Sequence, residues 1–375
     1  MTSWRDTIES AAFVAAVTAE QRTVGSRVEM VDRLGNSVLD LPVDSGNVSF
    51  KGEQAEQWAC SLTLSDPDLV PRSPYDPLDP RSGLRCRIWW RILDGGSWLE
   101  VPLGTYWLED PDVSDDGTTV RIGVTGRDAV ATARRGGYGT QTVGVSGYTV
   151  DAALLHILFV VAPTVAVRID PSTVTLPATY ELGSSDDPWD DVADIASMAG
   201  LVVRADREGA LLVAPTPEPS TVRADLQEGD DCAVVALTRG IKTSSIVNRV
   251  VAVSTSPEVN PPIVGVVEDD DEASPTWVGR YGPYVTTIKS DKIATQEGAE
   301  GMARAAFERW RLPMETVTVT IPQRPDLGYR DLCSVSSTRA AVSGMYRVSG
   351  WELPLAGPDQ APAPMTVTFM TESMS

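Results

Sequence analysis

Gly104-Thr105-Tyr106-Trp107-Leu108 and Gly344-Met345-Tyr346-Arg347-Val348 are the two stretches on which the reading of the fold turns. Each follows a run in which a cysteine alternates with an aliphatic residue, Cys86 with Ile88 in the first and Cys333 with Val335 in the second. Each run is preceded in turn by a proline and a glycine, Pro80 and Gly83, then Pro325 and Gly328. One order of features met twice in a chain argues for internal duplication, and the period-two alternation makes the duplicated unit one of strands. Gly-x-Tyr-x-aliphatic is common on its own, so the argument rests on the order. It points to two related β-barrels separated by an insertion.

Outward from these stretches the strand signal continues. In Gln57 to Leu64, Trp58, Cys60, Leu62 and Leu64 share one face, while Gln57, Ser61 and Thr63 share the other, as in a half-buried strand. Ser65 to Gly83 contains Pro67, Pro71, Pro74, Pro77 and Pro80, which donate no ladder hydrogen bonds, so an extended surface loop is expected. Asp94-Gly95-Gly96 reverses the chain, and Tyr106 to Glu109 and Thr119 to Val124 supply further strands. These place an N-terminal helix or arm at 1–20, with the helix over 3–20, and a first β-barrel domain at 21–135.

Gly136, Gly137, Gly139, Gly144 and Gly147 mark a boundary. Beyond it, Thr149 reads as the cap of an apolar helix, Val150 to Val161, expected to be buried with His156 inside it. A second helix has Asp187 as N-cap, Pro188 in its first turn, Asp190 and Asp191 at its positive end and Gly200 as its stop. Trp189, Val192, Ala193, Ala196 and Ala199 recur at helical spacing. Leu201 to Val203 and Leu211 to Val213 flank the turn Asp206-Arg207-Glu208-Gly209 as a hairpin. This is the inserted α+β domain, 136–225, closed by Pro215, Pro217 and Pro219. Residues 226–375 make the second β-barrel domain, with strands at Ile246 to Val253 and Thr316 to Ile321. It has one helix, about Thr295 to Arg311, that gathers Ala299, Met302, Ala303, Ala306 and Trp310 on one face, and an exposed acidic loop tip from Glu268 to Glu272. The expected fold class is mainly β with inserted α+β, two related tube-type β-barrel domains separated by a helix-plus-hairpin domain.

The 375 residues exceed one ordinary core, and 42% hydrophobic and 22% charged residues with 30 Gly and 27 Pro fit a folded, turn-rich chain. A net charge of −21 disfavours attraction to phosphates or anionic lipid. Specific nucleic-acid binding is therefore not expected, although an acidic wall lets a polyanion pass without sticking. The apolar run Ala11 to Val17 is short and flanked by Asp6, Glu9 and Glu20, so no secretory signal is expected. Ala152 to Ala162 is too short to span a bilayer. Cys60, Cys86, Cys232 and Cys333 form no CxxC pair, and with one His in the chain a zinc site is not expected. They read as reduced core residues of a protein made in a cytoplasm.

No residue is assigned a catalytic, cofactor-binding or metal-ligating role from the sequence. A nucleophilic triad would have to use His156 from within an apolar helix. Asp186, Asp187, Asp190, Asp191 and Asp194 could form a glycosidase pair or a calcium site, but capping and the helix dipole account for most of them. Glu268 to Glu272 lacks the alternating ligands and glycine of a calcium loop. Arg134-Arg135-Gly136-Gly137-Tyr138-Gly139 lacks the Lys-Ser/Thr ending of a phosphate loop and reads as a hinge. The ten Trp residues are expected in the core or at subunit interfaces, with glycan binding as the alternative.

Several motifs together resemble the hub proteins of phage tails, a group that includes baseplate hubs, late control protein D and the hub portion of tail-associated lysozymes. They are Pro74-Tyr75-Asp76-Pro77-Leu78-Asp79-Pro80, Leu103-Gly104-Thr105-Tyr106-Trp107-Leu108-Glu109, Val120 to Asp128, Pro188-Trp189 to Gly200 with the Asp206 to Gly209 hairpin, and Asn248 to Val253. In order and spacing they are similar to minor tail proteins of actinobacterial long-tailed phages. The resemblance implies a structural protein of the virion tail tip, assembled in the bacterial cytoplasm. It implies a homotrimer that adapts a sixfold tube to a threefold tip and lines the DNA channel. Distal tail or tail tube protein, tip or fibre proteins and the tape measure protein are the implied partners. Stopping at Ser375 without an appended peptidase or muramidase domain, the chain leaves cell-wall chemistry to another protein by expectation. A tail-associated glycan hydrolase or carbohydrate-binding tip protein is the alternative. At Gly328-Tyr329-Arg330-Asp331 the Gly-Asp turn of the group is interrupted.

Overall fold

The computed structural model describes residues 4–19, 21–138, 144–176, 182, 188–228, 234–242, 246–255, 261–290, 293, 295–310, 314–357 and 361–371. The chain forms two compact units, one of residues 1–236 with 319–368 and one of 237–318 with 369–375.

The first unit opens with α1 (Trp4–Glu9) and α2 (Ala11–Thr18) in place of the single helix expected over 3–20. Ser10 causes the break: its backbone is extended and its hydroxyl accepts the Phe13 amide at 3.1 Å, so it caps the second helix. The strands β1 (Val24–Val31), β2 (Ser37–Asp40), β3 (Ser45–Lys51), β4 (Trp58–Leu64), β5 (Arg85–Asp94), β6 (Ser97–Asp115) and β7 (Val120–Arg127) follow. Strand β4 alternates as its sequence requires, with Trp58, Cys60, Leu62 and Leu64 buried. Next come α3 (Ala129–Arg135), α4 (Val150–Val161), β8 (Val167–Ile169), α5 (Pro188–Met198), β9 (Val202–Ala205), β10 (Leu211–Ala214) and β11 (Val222–Gln227). Strand β10 pairs parallel with β8 and antiparallel with β9. The chain is mainly β with inserted α+β elements.

The second unit holds most of β12 (Ala236–Lys242), then β13 (Arg249–Ser254), β14 (Val264–Glu268), α6 (Val278–Tyr281), β15 (Val285–Ser290), α7 (Gln296–Trp310) and most of β16 (Met314–Ile321). Strand β13 lies between β14 and β15, and α7 packs on this small sheet through Ala299, Ala303 and Phe307 against Val250, Ala252 and Ile293. The helix approaches closely enough that a Cβ on Gly265 would stand 2.5 Å from the Ala299 carbonyl carbon. Met302 and Ala306 sit at the margin of this core, and the Trp310 side chain lies outside the described residues. The chain ends with β17 (Leu332–Ser337), β18 (Val342–Ala356) and β19 (Met365–Thr371).

Hydrogen-bonded order exposes the duplication. One half of the large sheet runs β3-β4-β7-β6-β5-β1 and the other β12-β16-β19-β18-β17-β11, with corresponding strands in the same chain order. Register agrees as well: Cys86 faces Tyr106 and Ile88 faces Gly104 across β5 and β6, while Cys333 faces Tyr346 and Val335 faces Gly344 across β17 and β18. The halves differ where β1 runs antiparallel to β5 but β11 runs parallel to β17. They differ also in that β3 and β4 are joined by 52–57, whereas 243–313, containing β13 to β15, α6 and α7, separate β12 from β16. The halves meet where β3 pairs antiparallel with β18, from Lys51 opposite Gly350 to Ser45 opposite Ala356.

Three local expectations change. Helix α4 buries Ala153, Leu154, Ile157 and Leu158 but presents Leu155 (53% exposed), His156 and Phe159 (72% exposed) outward, because its apolar residues occupy both faces. Thr149 precedes it without a side-chain capping bond. Within the acidic run Glu268 to Glu272, Asp269 is buried and accepts hydrogen bonds from the Ser274 and Thr276 hydroxyls, both at 2.5 Å.

Candidate functional site

Among the described residues the candidate catalytic groups do not converge. His156 is exposed, with the Tyr148 ring at 6.1 Å. Asp186 and Asp187 lie outside the described residues, Asp190 and Asp194 face solvent, and Asp191 is buried, accepting the Tyr138 hydroxyl at 2.8 Å. Among the described residues no group of three His, Cys, Asp or Glu is placed to hold a metal. Cys60, Cys86 and Cys333 are free thiols in the core, and burial pushes Cys86 and Cys333 up to about 12, so they are poor nucleophiles. Cys232 lies outside the described residues. Arg134 and Arg135 end α3 and pair with Glu56 and Glu109.

The tryptophan faces are largely occupied. Trp58, Trp90, Trp189 and Trp351 are buried, and guanidinium groups stack on the more open rings: Arg85 on Trp107 at 4.7 Å, Arg91 on Trp98 at 4.5 Å, and Arg27 and Arg87 on Trp89 at 5.2 and 5.4 Å. A sugar would have to displace those arginines.

The first unit instead contains a buried polar junction at the tip of the β9–β10 hairpin. Arg207 is buried there, stacked 5.4 Å from the Trp58 ring, and donates to the Pro102 and Leu327 carbonyls at 3.4 Å each. Burial lowers its pKa to about 10, which leaves it charged at neutral pH. Asp326 is buried too. Desolvation pushes its carboxyl up, but bonds of 2.9 Å from Arg324 Nε and Nη2, with Arg223 nearby, hold it below the usual value. Arg223 donates on to the Ile8 carbonyl of α1, and Arg347 to the Pro219 and Arg330 carbonyls. The Trp351 indole shares the Leu327 carbonyl at 3.0 Å. On the opposite flank Asp128 caps α3 and also accepts the Gln57 and Trp58 amides at 2.8 and 2.9 Å. The junction ties the hairpin, the arm and strands of both halves together, and a cavity of about 290 Å³ lined by Trp58, Arg207, Asp326 and Asp331 opens beside it. Sequence reading missed it: the only signal was a charged residue in a turn, where solvent exposure is the ordinary outcome.

What stands open is sheet edge. The last third of β6 bonds to β7 on one side, from Trp107 opposite Arg127 to Asp115 opposite Val120, and has no other strand neighbour among the described residues. It carries Glu109, Asp110, Asp112 and Asp115, with Val113 41% exposed. Strand β12 stands at the end of its sheet path beside β16, where Arg239 pairs with Glu315 at 2.7 Å. Ile241 on it and Val235 just before it are 54% and 66% exposed. Such edges present unpaired backbone groups, and the outward face of α4 presents exposed apolar side chains.

No family model and no curated protein matches the sequence. Solved structures do match its fold. The tail protein from Neisseria meningitidis MC58 is 14% identical with a TM-score of 0.64, over 93% of this chain and 97% of that one. The 43 kDa tail protein of prophage MuSo2 from Shewanella oneidensis is 15% identical with a TM-score of 0.65, over 94% and 98%. Prophage tail protein gp18 from Listeria monocytogenes EGD-e is 14% identical with a TM-score of 0.53, over 93% and 95%. At these identities the likeness is one of fold.

Proposed function

We propose that this chain is a structural hub protein of a phage-type tail, a homotrimer at the distal tip that adapts a sixfold tube to a threefold tip and lines the DNA exit channel. The duplicated sheet carries the reading. Two strand sets of one order and register in each chain give three chains six similar surfaces, which is what a threefold ring needs to continue a sixfold tube. The fold likeness to phage tail proteins over more than nine-tenths of both chains supports the same reading. A net charge of −21 suits a channel wall that passes DNA without holding it. The proposed neighbours are the distal tail or tube protein above, the tip or fibre proteins below and the tape measure protein within. The proposed role is binding, with no catalysis of its own.

Native mass spectrometry of the purified chain, and electron microscopy of tails that contain it, test this. The expected species has three times the 40.2 kDa chain mass and forms threefold rings at the tip. A chain that stays single, inside tails as well as outside, would falsify the proposal.

A further inference from the structure

We infer that the hollow between the β1–β2 turn, the start of β5 and the end of α3 binds a phosphate monoester, the dianionic phosphate group of a small organic molecule. The cavity has a volume of about 280 Å³ and is lined by Arg33, Arg85 and Arg135 together with Trp107, Thr132 and Thr164. All of these belong to the first unit. Three guanidinium groups at one hollow run against a net charge of −21 for the whole chain, so the local field has the opposite sign to the rest of the surface. The volume lies just under the range of about 300 to 1,000 Å³ usual for ligand sites, and its occupant is correspondingly small.

Each arginine is held differently. Arg85 opens β5, donates to the Thr164 carbonyl at 2.5 Å and stacks on the Trp107 ring at 4.7 Å, so its planar fork is oriented before a ligand arrives. Arg33, in the turn after β1, reaches over Gly83, where a Cβ would stand 3.7 Å from its Nη2. Among the described residues neither Arg33 nor Arg85 forms an ion pair with a carboxylate. Burial and the positive charge of Arg33 lower the Arg85 pKa, as two like charges held together must. Asp32 offsets part of that charge, but its oxygens already accept the Leu34 amide at 2.8 Å and the Asn36 amide and Nδ2 at 2.9 Å each. Arg135 is paired with Glu109, which Arg127 also approaches. Two guanidinium groups are thus left with donors to spare. One such fork is enough for a carboxylate, as Arg27 shows by holding both oxygens of Glu100 at 3.2 and 3.1 Å. A phosphate monoester has nearly two negative charges at neutral pH and three acceptor oxygens, which matches two forks coming from different elements. A phosphodiester of duplex DNA carries one charge per phosphate and would bring a polyanion against the acidic remainder of the surface, so it fits less well.

Isothermal titration calorimetry on the full chain tests this, with glycerol 3-phosphate, inorganic phosphate, acetate and a short DNA duplex as probes in a phosphate-free buffer of low ionic strength. Glycerol 3-phosphate and inorganic phosphate are expected to bind once per chain with a Kd of about 1 mM or tighter, and acetate about tenfold more weakly. Arg33→Gln changes an exposed side chain without a bonded partner; it is expected to weaken phosphate binding about tenfold while the melting temperature stays that of the parent. Arg85→Lys keeps the charge but loses the fork, and should weaken binding by a similar factor. Arg91→Gln, outside the cavity on Trp98, is the control for net charge and should leave binding unchanged. Phosphate binding that is absent, or that survives both Arg33→Gln and Arg85→Lys, overturns the site. Acetate bound as tightly as phosphate overturns the monoester in favour of a carboxylate, and duplex DNA bound through the same two arginines overturns it in favour of nucleic acid.

Discussion

Gly104 and Tyr106 show what a two-residue spacing achieves in a strand. Side chains two apart share a face, so the tyrosine ring lies back over the glycine, and its hydroxyl donates to the Leu103 carbonyl at 2.9 Å. A Cβ on Gly104 would stand 2.3 Å from the Tyr106 hydroxyl oxygen, and the residue has a φ of +153°. Its counterpart Gly344 leaves 3.7 Å to the Tyr346 ring. Gly104→Ala is therefore expected to cost about 3 kcal/mol and Gly344→Ala under about 1 kcal/mol, read from urea unfolding. Glu29 supplies a pH test. Burial pushes its carboxyl up, but hydrogen bonds from Trp89, Ser37 and Arg87 outweigh that and hold it at about 2, below its ordinary 4.5. A depressed folded value means stability that is complete above 4.5 and lost as pH falls toward about 2. The melting temperature should drop across that window, and Glu29→Gln should melt lower at pH 7 and flatten the drop. A variant with the parent's slope would show that this carboxylate is not the group responsible. Asp128 has the opposite sign, since burial raises it to about 6, and its contribution improves as pH falls from there toward its ordinary 3.8.

At the level of elements, the β9–β10 hairpin is anchored at its tip by Arg207. Arg207→Met removes a buried charge and leaves the Pro102 and Leu327 carbonyls without that donor. The expected cost is about 3 kcal/mol, with faster hydrogen exchange confined first to 202–214. Phe159→Asp on the outward face of α4, by contrast, should change stability by less than about 0.5 kcal/mol in the single chain, checked by the same unfolding measurement. These elements also show what sequence made legible. Strand β4 declared itself because burial on one face imposes alternation, and the Asp94-Gly95-Gly96 turn because both glycines need positive φ, 53° and 86°. The Ser10 break did not, since serine is tolerated within helices as well as at their starts. The outward face of α4 did not either, because Leu155 and Phe159 look the same in sequence whether a core or a partner covers them. Arg207 was hidden for a third reason: its acceptors lie 105 and 120 residues away. Likewise, the pattern at Ile246 to Val253 announced a strand, but not that β13 would build a separate small core with α7.

For the molecule as a whole, the duplication was readable as a faint order of features, and strand order turns it into a correspondence of six strands with six. At a net charge of −21 the protein should leave duplex DNA unshifted in a gel assay at 150 mM salt, and appreciable retardation would contradict the channel-wall role. The β3–β18 pairing has a further consequence, for synthesis. Strand β3 ends at residue 51 and its partner segment begins at 350, so the first half of the sheet leaves the ribosome with that edge unfilled. At about 5 to 20 residues per second the wait is on the order of 15 to 60 seconds. Throughout it, every nascent chain on a polysome exposes a strand that fits the β18 segment of a neighbour whose own β3–β18 pairing has not yet closed. Premature swapping between chains is thus a hazard of the topology, and the last two strands, β18 and β19, act as the clasp that ends it.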